Sequence, residues 1–318
     1  MVRRIMADVA RGLAMGAADV VPGVSGGTVA LLLGIYDRLV AQVAHLSTSA
    51  SAALRGHVRL AFRMAAQAEW SFLAALAAGI AIAVVALVEL VRYGIEEQPV
   101  GLSAAFFGLV LATAVITRRE VSRWRWELVA TAAAVAAAVF VLLGVRSGSV
   151  TDPAAAVIIA AGTLAVCAMI LPGISGAFVL LMIGLYDPIT AAVSQRDLAT
   201  VSLFALGAAV GLGLFSRLLA FVLERRRDAV IAVLLGLMAG SLRVLWPWPV
   251  GDTAAEGFGN AALGAPPASE VPGALLAAAV AAALAVALRR FGGSQQQRVT
   301  ELPRSNSRRR ASATKRLP

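Results

Sequence analysis

Cysteine is almost missing from this chain: Cys167 stands alone, so no disulfide can form within it. Histidine is nearly as scarce, and His45 and His57 both lie outside the apolar runs. No Cys/His ligand set exists, and we expect neither a metal site nor a cofactor. Charge is sparse too, at 14% of 318 residues, against 59% hydrophobic residues. With a mean hydropathy of +0.82, a water-soluble domain is excluded, because it would have to hide more apolar surface than its interior holds. The N-terminus lacks an uninterrupted apolar stretch, since Asp8, Arg11 and Asp19 break it. A cleaved signal peptide is therefore not expected.

What the chain has instead is long apolar runs. A bilayer core takes about 20 helical residues, and segments 70–91, 100–117, 126–145, 201–223, 229–246 and 271–288 qualify. The net charge of +10 is gathered in the segments 117–126, 224–227 and 287–290 and in the tail. Segments 92–100, 146–153 and 246–270 carry acids and few cations. That alternation follows the positive-inside rule with both termini cytoplasmic in a multi-pass protein of the cell membrane. The polar, Ser/Arg-rich tail (291–318) reads as disordered and attracted to anionic membrane lipids, with no nucleic-acid partner.

One sentence of sequence is written twice. VPGVSGGTVALLLGIYDRL starts at Val21 and LPGISGAFVLLMIGLYDPI at Leu171, with nine of nineteen positions identical. Three apolar crossings separate the copies, and an odd number of crossings inverts the second relative to the first. The count closes when each motif is a re-entrant helical hairpin that enters and leaves on one side. Their arms fall near 3–20 and 27–40, then 154–171 and 177–190. The expected fold is an all-α polytopic membrane protein, an inverted repeat whose halves each hold a re-entrant hairpin plus three transmembrane helices. The halves are 1–146 and 147–290. Inverted repeats of this kind carry secondary-transporter sites at the repeat interface.

The motifs supply the candidate binding groups. Pro22 and Pro172 break a helix; Gly23, Gly26, Gly27, Gly173 and Gly176 allow close approach of backbone to a ligand. Ser25, Thr28 and Ser175 sit where a new helix opens with unpaired N–H groups. A glycine-rich helix start suits an anion, phosphate in particular; the plainer alternative is a packing turn capped by its own serine. Arg217 and Arg243 lie inside apolar spans, where arginine is costly and faces a cavity or partner; for Arg243, near a span end, snorkelling is the alternative. Asp19 is a candidate capping group, arginine partner or proton carrier, and Met169 stands at its place in the second copy. Tyr36–Asp37 and Tyr186–Asp187 read as interfacial anchors. The Gly207/Gly211 and Gly236/Gly240 pairs read as helix-packing sites.

GAADVVPGVSGGTVALLLGIYDRL, LPGISGAFVLLMIGLYDPI and GLMAGSLRVLWPW together resemble the PopT-type polyprenyl-phosphate transporter family, formerly a membrane family of unknown function. The resemblance spans about residues 8–250 and implies a translocase, not an enzyme. It would recycle undecaprenyl or decaprenyl phosphate for cell-envelope synthesis. Ala177 departs from the small polar residue often found there, and GLVLATA lacks the Gly-Ser ending of GLMAGS. A carrier or channel for a small soluble anion is the alternative function. No clustered His/Asp or Arg-rich phosphatase signature supports an intramembrane enzyme. Oligomeric state and coupling ion are not legible.

Overall fold

The computed structural model describes residues 2–19, 25–144, 150, 152–250 and 262–289. The roles expected of Pro22, Gly23 and the tail 291–318 lie outside the described residues.

The first half opens with α1 (Val2–Asp19), α2 (Gly26–Leu32), α3 (Tyr36–Leu54) and α4 (Val58–Ala66). Three strongly apolar helices follow: α5 (Trp70–Glu97), α6 (Pro99–Thr117) and the shorter α7 (Trp126–Leu142). The second half runs α8 (Ala155–Ile170), α9 (Gly176–Met182), α10 (Tyr186–Ser194) and α11 (Leu198–Ser241). The helix α12 (Val271–Arg289) closes the described chain. Among the described residues, four helices (α5, α6, α11 and α12) are long and apolar enough to cross a bilayer. The α9–α10 pair, if counted as one broken span, makes five. The chain is thus an all-α, multi-pass membrane protein. α11 covers two expected spans in one element, with its break at Arg226, whose backbone leaves helical geometry at φ −138° and ψ 45°.

The outgoing arms are shorter than expected. Each stops after seven residues and turns at a glycine, Gly34 (φ 69°) or Gly184 (φ 70°). At the first stop Gly34 N–H donates to the Leu31 carbonyl and Ile35 N–H to the Ala30 carbonyl. At the second, Gly184 donates to Leu181 and Leu185 to Leu180. Both are Schellman caps, which need a left-handed residue and so explain the shared glycine. The α9–α10 pair bends by 116° there.

Close backbone approach holds the halves together internally. A Cβ on Gly12 would stand 2.2 Å from the Leu76 carbonyl oxygen, and one on Gly79 2.2 Å from that of Val9. In the second half Gly162 meets the Phe204 carbonyl at 2.2 Å and Gly207 that of Ile159 at 2.0 Å. Val9 and Gly12 hold the same places before the first motif that Ile159 and Gly162 hold before the second. The α1–α5 and α8–α11 contacts therefore repeat residue for residue. Further on, Gly108 of α6 faces Ala278 of α12, while Gly236 of α11 faces Ala132 of α7. The packing expected for Gly207/Gly211 and Gly236/Gly240 is present, with Gly211 against Thr163 and Gly240 against Val139. On α11, Leu206, Val210, Leu214 and Leu218 stay exposed, every fourth residue. In lipid such an apolar outer stripe is stable, which is why composition runs so far from a soluble protein's.

Candidate functional site: two linked helix turns

At the first turn, α2 starts with its orphan N–H groups already held. Asp19, closing α1, accepts from Gly26 N–H at 2.6 Å. The Ser25 hydroxyl accepts from Gly27 N–H at 3.1 Å, as an N-cap residue does. The second turn is different. Ser175 precedes α9 with no side-chain cap, Met169 replaces the carboxylate, and Phe178 stands in Thr28's position.

The two turns touch. Ser25 Oγ donates to the Met169 carbonyl at 3.2 Å, and Thr28 Oγ1 accepts from Gly173 N–H at 2.9 Å. Tyr36 OH donates to the Ile170 carbonyl at 3.1 Å. A side chain on Gly27 would meet that same Ile170 carbonyl at 3.1 Å, so glycine there permits the approach. Gly173 takes φ +91° and packs on the Met238 backbone, where a Cβ would come within 2.8 Å. Ser25, Gly26, Thr28, Pro172, Gly173 and Gly176 are all buried. Thus Asp19, Ser25, Gly26, Gly27, Thr28 and Gly173 form one bonded cluster. Tyr36 departs from the interfacial role read from sequence: it is 2% exposed and bonded to the second turn. Its partner is a main-chain carbonyl 134 residues away, which no local signal reveals.

A mainly apolar cavity of about 250 Å³ adjoins the cluster, with Asp19, Gly27, Tyr36 and Met169 in its wall. Ser216 of α11 also lines it, wholly buried, with no hydrogen-bond partner for its hydroxyl. The neighbouring Arg217 points to α3, donating from Nε to Ser47 Oγ at 3.1 Å and from Nη2 to the Ser47 carbonyl. Arg243 lies beyond the end of α11, its guanidinium 4.7 Å from the centre of the Phe140 ring, a cation–π contact. Its Nε is buried without a partner. Among the described residues neither arginine is hydrogen-bonded to either turn.

A second polar site has no counterpart among the sequence-based expectations. Arg227, just past the break in α11, pairs with Asp37 and, at 3.2 Å, with Glu120. Arg289, closing α12, pairs with Glu120 at 2.5 Å and donates to the Leu32 carbonyl at 3.3 Å. These four charges and the Gly34 turn line a cavity of about 430 Å³. They tie the Gly34 turn to the middle of the second half at Arg227 and to its end at Arg289. The sequence signal lies in the basic clusters, which on their own speak only of orientation.

Buried polar turns that meet among apolar helices long enough to cross a bilayer define a multi-pass membrane protein. A family model for undecaprenyl phosphate translocase-like proteins matches residues 15–259, and the chain belongs to that family. A protein of Vibrio cholerae named polyprenyl-phosphate transporter is 37% identical over 245 residues, covering 75% of this chain and 76% of its own. A Staphylococcus aureus protein of the same name is 27% identical over 257 residues, covering 76% and 86%. No solved structure matches the chain.

Proposed function

We propose that this protein is a translocase that flips polyprenyl phosphate, such as undecaprenyl or decaprenyl phosphate, across the cell membrane. The bonded pair of turns carries the reading. The halves are read as inverted repeats, each a re-entrant hairpin plus three spans, with the basic end and both termini in the cytoplasm. The repeated glycine contacts of α1–α5 and α8–α11 support that duplication.

A lipid phosphate can leave its tail in the bilayer while the head crosses. The head then needs donors that replace water, because an unpaired phosphate in hydrocarbon is prohibitively costly. In this reading the head binds between the PGxSG turns. Pro22, Gly23, Ser25, Gly26, Gly27 and Thr28 form one wall; Pro172, Gly173, Ser175 and Gly176 form the other. Asp19 already occupies the anion position at the α2 start, so the uncapped second turn supplies the open donors. Asp19 is the candidate coupling group. Arg217 and Arg243 serve the head only after moving from their present partners. The lipid's return to the cytoplasmic leaflet would recycle the carrier for envelope synthesis.

The test is leaflet-to-leaflet movement of a labelled polyprenyl phosphate by the pure protein in liposomes. Movement that is blocked by replacing Ser25 and Ser175 together, and competed poorly by inorganic phosphate, supports the reading. Full transport by that double variant would sink the head site. Equal competition by inorganic phosphate would favour a soluble-anion carrier.

A further inference from the structure

A lateral groove of about 790 Å³ opens where α6, α7 and α11 meet. Its walls are apolar: Ala114, Ala132, Ala133, Ala136, Gly236 and Ala239 offer at most a methyl group, and branched apolar side chains fill in between them. One end of it is not apolar. Arg118 and Arg119, on the single 3₁₀ turn after α6, line that end together with Trp124. The indole of Trp124 is fixed there by donating from Nε1 to the Arg118 carbonyl at 3.2 Å. Both arginines are exposed, and among the described residues neither has an ion-pair partner. The next residue, Glu120, turns away and pairs with Arg227 and Arg289 in the polar cavity beneath the Gly34 turn. Three consecutive residues thus separate a lipid-facing slot from a polar chamber.

We propose that this groove is a lateral site for polyprenyl phosphate itself, with the isoprenoid chain lying along the alanine-lined walls and the phosphate held by Arg118 and Arg119. The assignment rests on the translocase reading above and adds the place where the lipid docks at the basic end. Charge complementarity commits the occupant. A neutral tail would wet the groove as ordinary bilayer does, but two unpaired guanidiniums at its end match a phosphate's oxygens by bidentate contact. Small residues alternate with the branched side chains of Val115, Val121, Val129 and Leu235, an apolar surface that suits a methyl-branched chain. From this position the head needs to pass only the Glu120 turn to reach the polar chamber.

The test is photo-crosslinking of the full chain in phosphatidylcholine nanodiscs, using a polyprenyl phosphate with a diazirine near its head. Labelling is expected on 114–136 and 235–239, competed by unlabelled polyprenyl phosphate. Polyprenol, inorganic phosphate and phosphatidylglycerol should compete at least about tenfold less well, roughly the loss of one charge-assisted contact. The exposed pair Arg118→Gln/Arg119→Gln should lower labelling about tenfold or more without unfolding. Ala133→Phe, which fills the groove from an exposed position, should lower it with the arginines intact. Equal competition by phosphatidylglycerol would overturn the proposal and make the groove a general anionic-lipid surface. Undiminished labelling of the double glutamine variant, or labelling confined to other helices, would also overturn it. Liposome transport separates the two ideas. Wild-type protein that transports yet is unlabelled in the groove refutes the groove alone. Labelled protein that moves no lipid refutes the translocase reading.

Discussion

The two PGxSG motifs share their proline, glycines and serine and almost none of the chemistry around them. Proline, glycine and serine recur in the sequence, and the Gly34/Gly184 caps recur because a left-handed turn demands glycine at both places. Asp19, Ser25, Thr28 and Tyr36 make the polar bonds of the first turn, and three of them reach across to the second. The second answers with main chain only: two carbonyls and one N–H. Met169 and Phe178 stand where the first copy has Asp19 and Thr28. The repeat therefore keeps its Schellman caps while the side chains before them diverge into a bonded set and an uncapped one. A symmetric pair would offer the same groups from both sides; this pair does not.

The comparison breaks hardest at the glycines beneath the turns. Gly12→Leu and Gly162→Leu each force a side chain into a backbone carbonyl that a Cβ alone would approach to 2.2 Å. Each should cost about 1–3 kcal/mol or more, read as thermal unfolding in detergent. Unequal losses would argue against equivalent packing. Next comes Thr28→Val, which strips the buried Gly173 N–H of its acceptor. A loss of about 1–3 kcal/mol is expected, with Thr28→Ser recovering most of it. The serines should separate the turns further. Ser25→Ala should destabilise by about 1 kcal/mol through the lost cap. Ser175→Ala, with no cap to lose, should leave stability unchanged and reveal itself only in liposome transport.

The smallest effect is set by pH where two of the packed helices begin. Glu69 precedes α5 and Asp197 precedes α11, each ten residues before its packing glycine. The Arg38 hydrogen bond holds the Glu69 carboxyl below its ordinary value, and Thr200 does the same for Asp197 through its side chain and N–H. Each contribution is present above the unfolded-state pKa and fades as pH falls through the lower folded one. Acidification below about pH 4 should therefore loosen the first turns of α5 and α11. Glu69→Gln together with Asp197→Asn should flatten that acid limb of the stability profile.

Much of the architecture was legible in residue order. Apolar runs placed α5, α6, α7, α11 and α12 within a few residues, because lipid tolerates a helix only when its own backbone is satisfied. The repeat located both turns. Reading the outgoing arms as continuous to 40 and 190 missed the caps at Gly34 and Gly184, although glycine followed by a short apolar residue is a stop signal. The partners of Tyr36, Thr28, Arg217 and Arg227 had no local signature at all.

By itself the sequence determined that the chain lives in a membrane and that it carries one motif twice. Those follow from composition and backbone chemistry, which act over a few turns of chain. Only the tertiary structure decided that the first turn is bonded to the second, that Asp19 caps α2, and that Arg227 and Arg289 share Glu120. Such contacts join groups more than a hundred residues apart, except the Asp19 cap. Which of several equally suitable polar partners a side chain meets is set by how the helices pack.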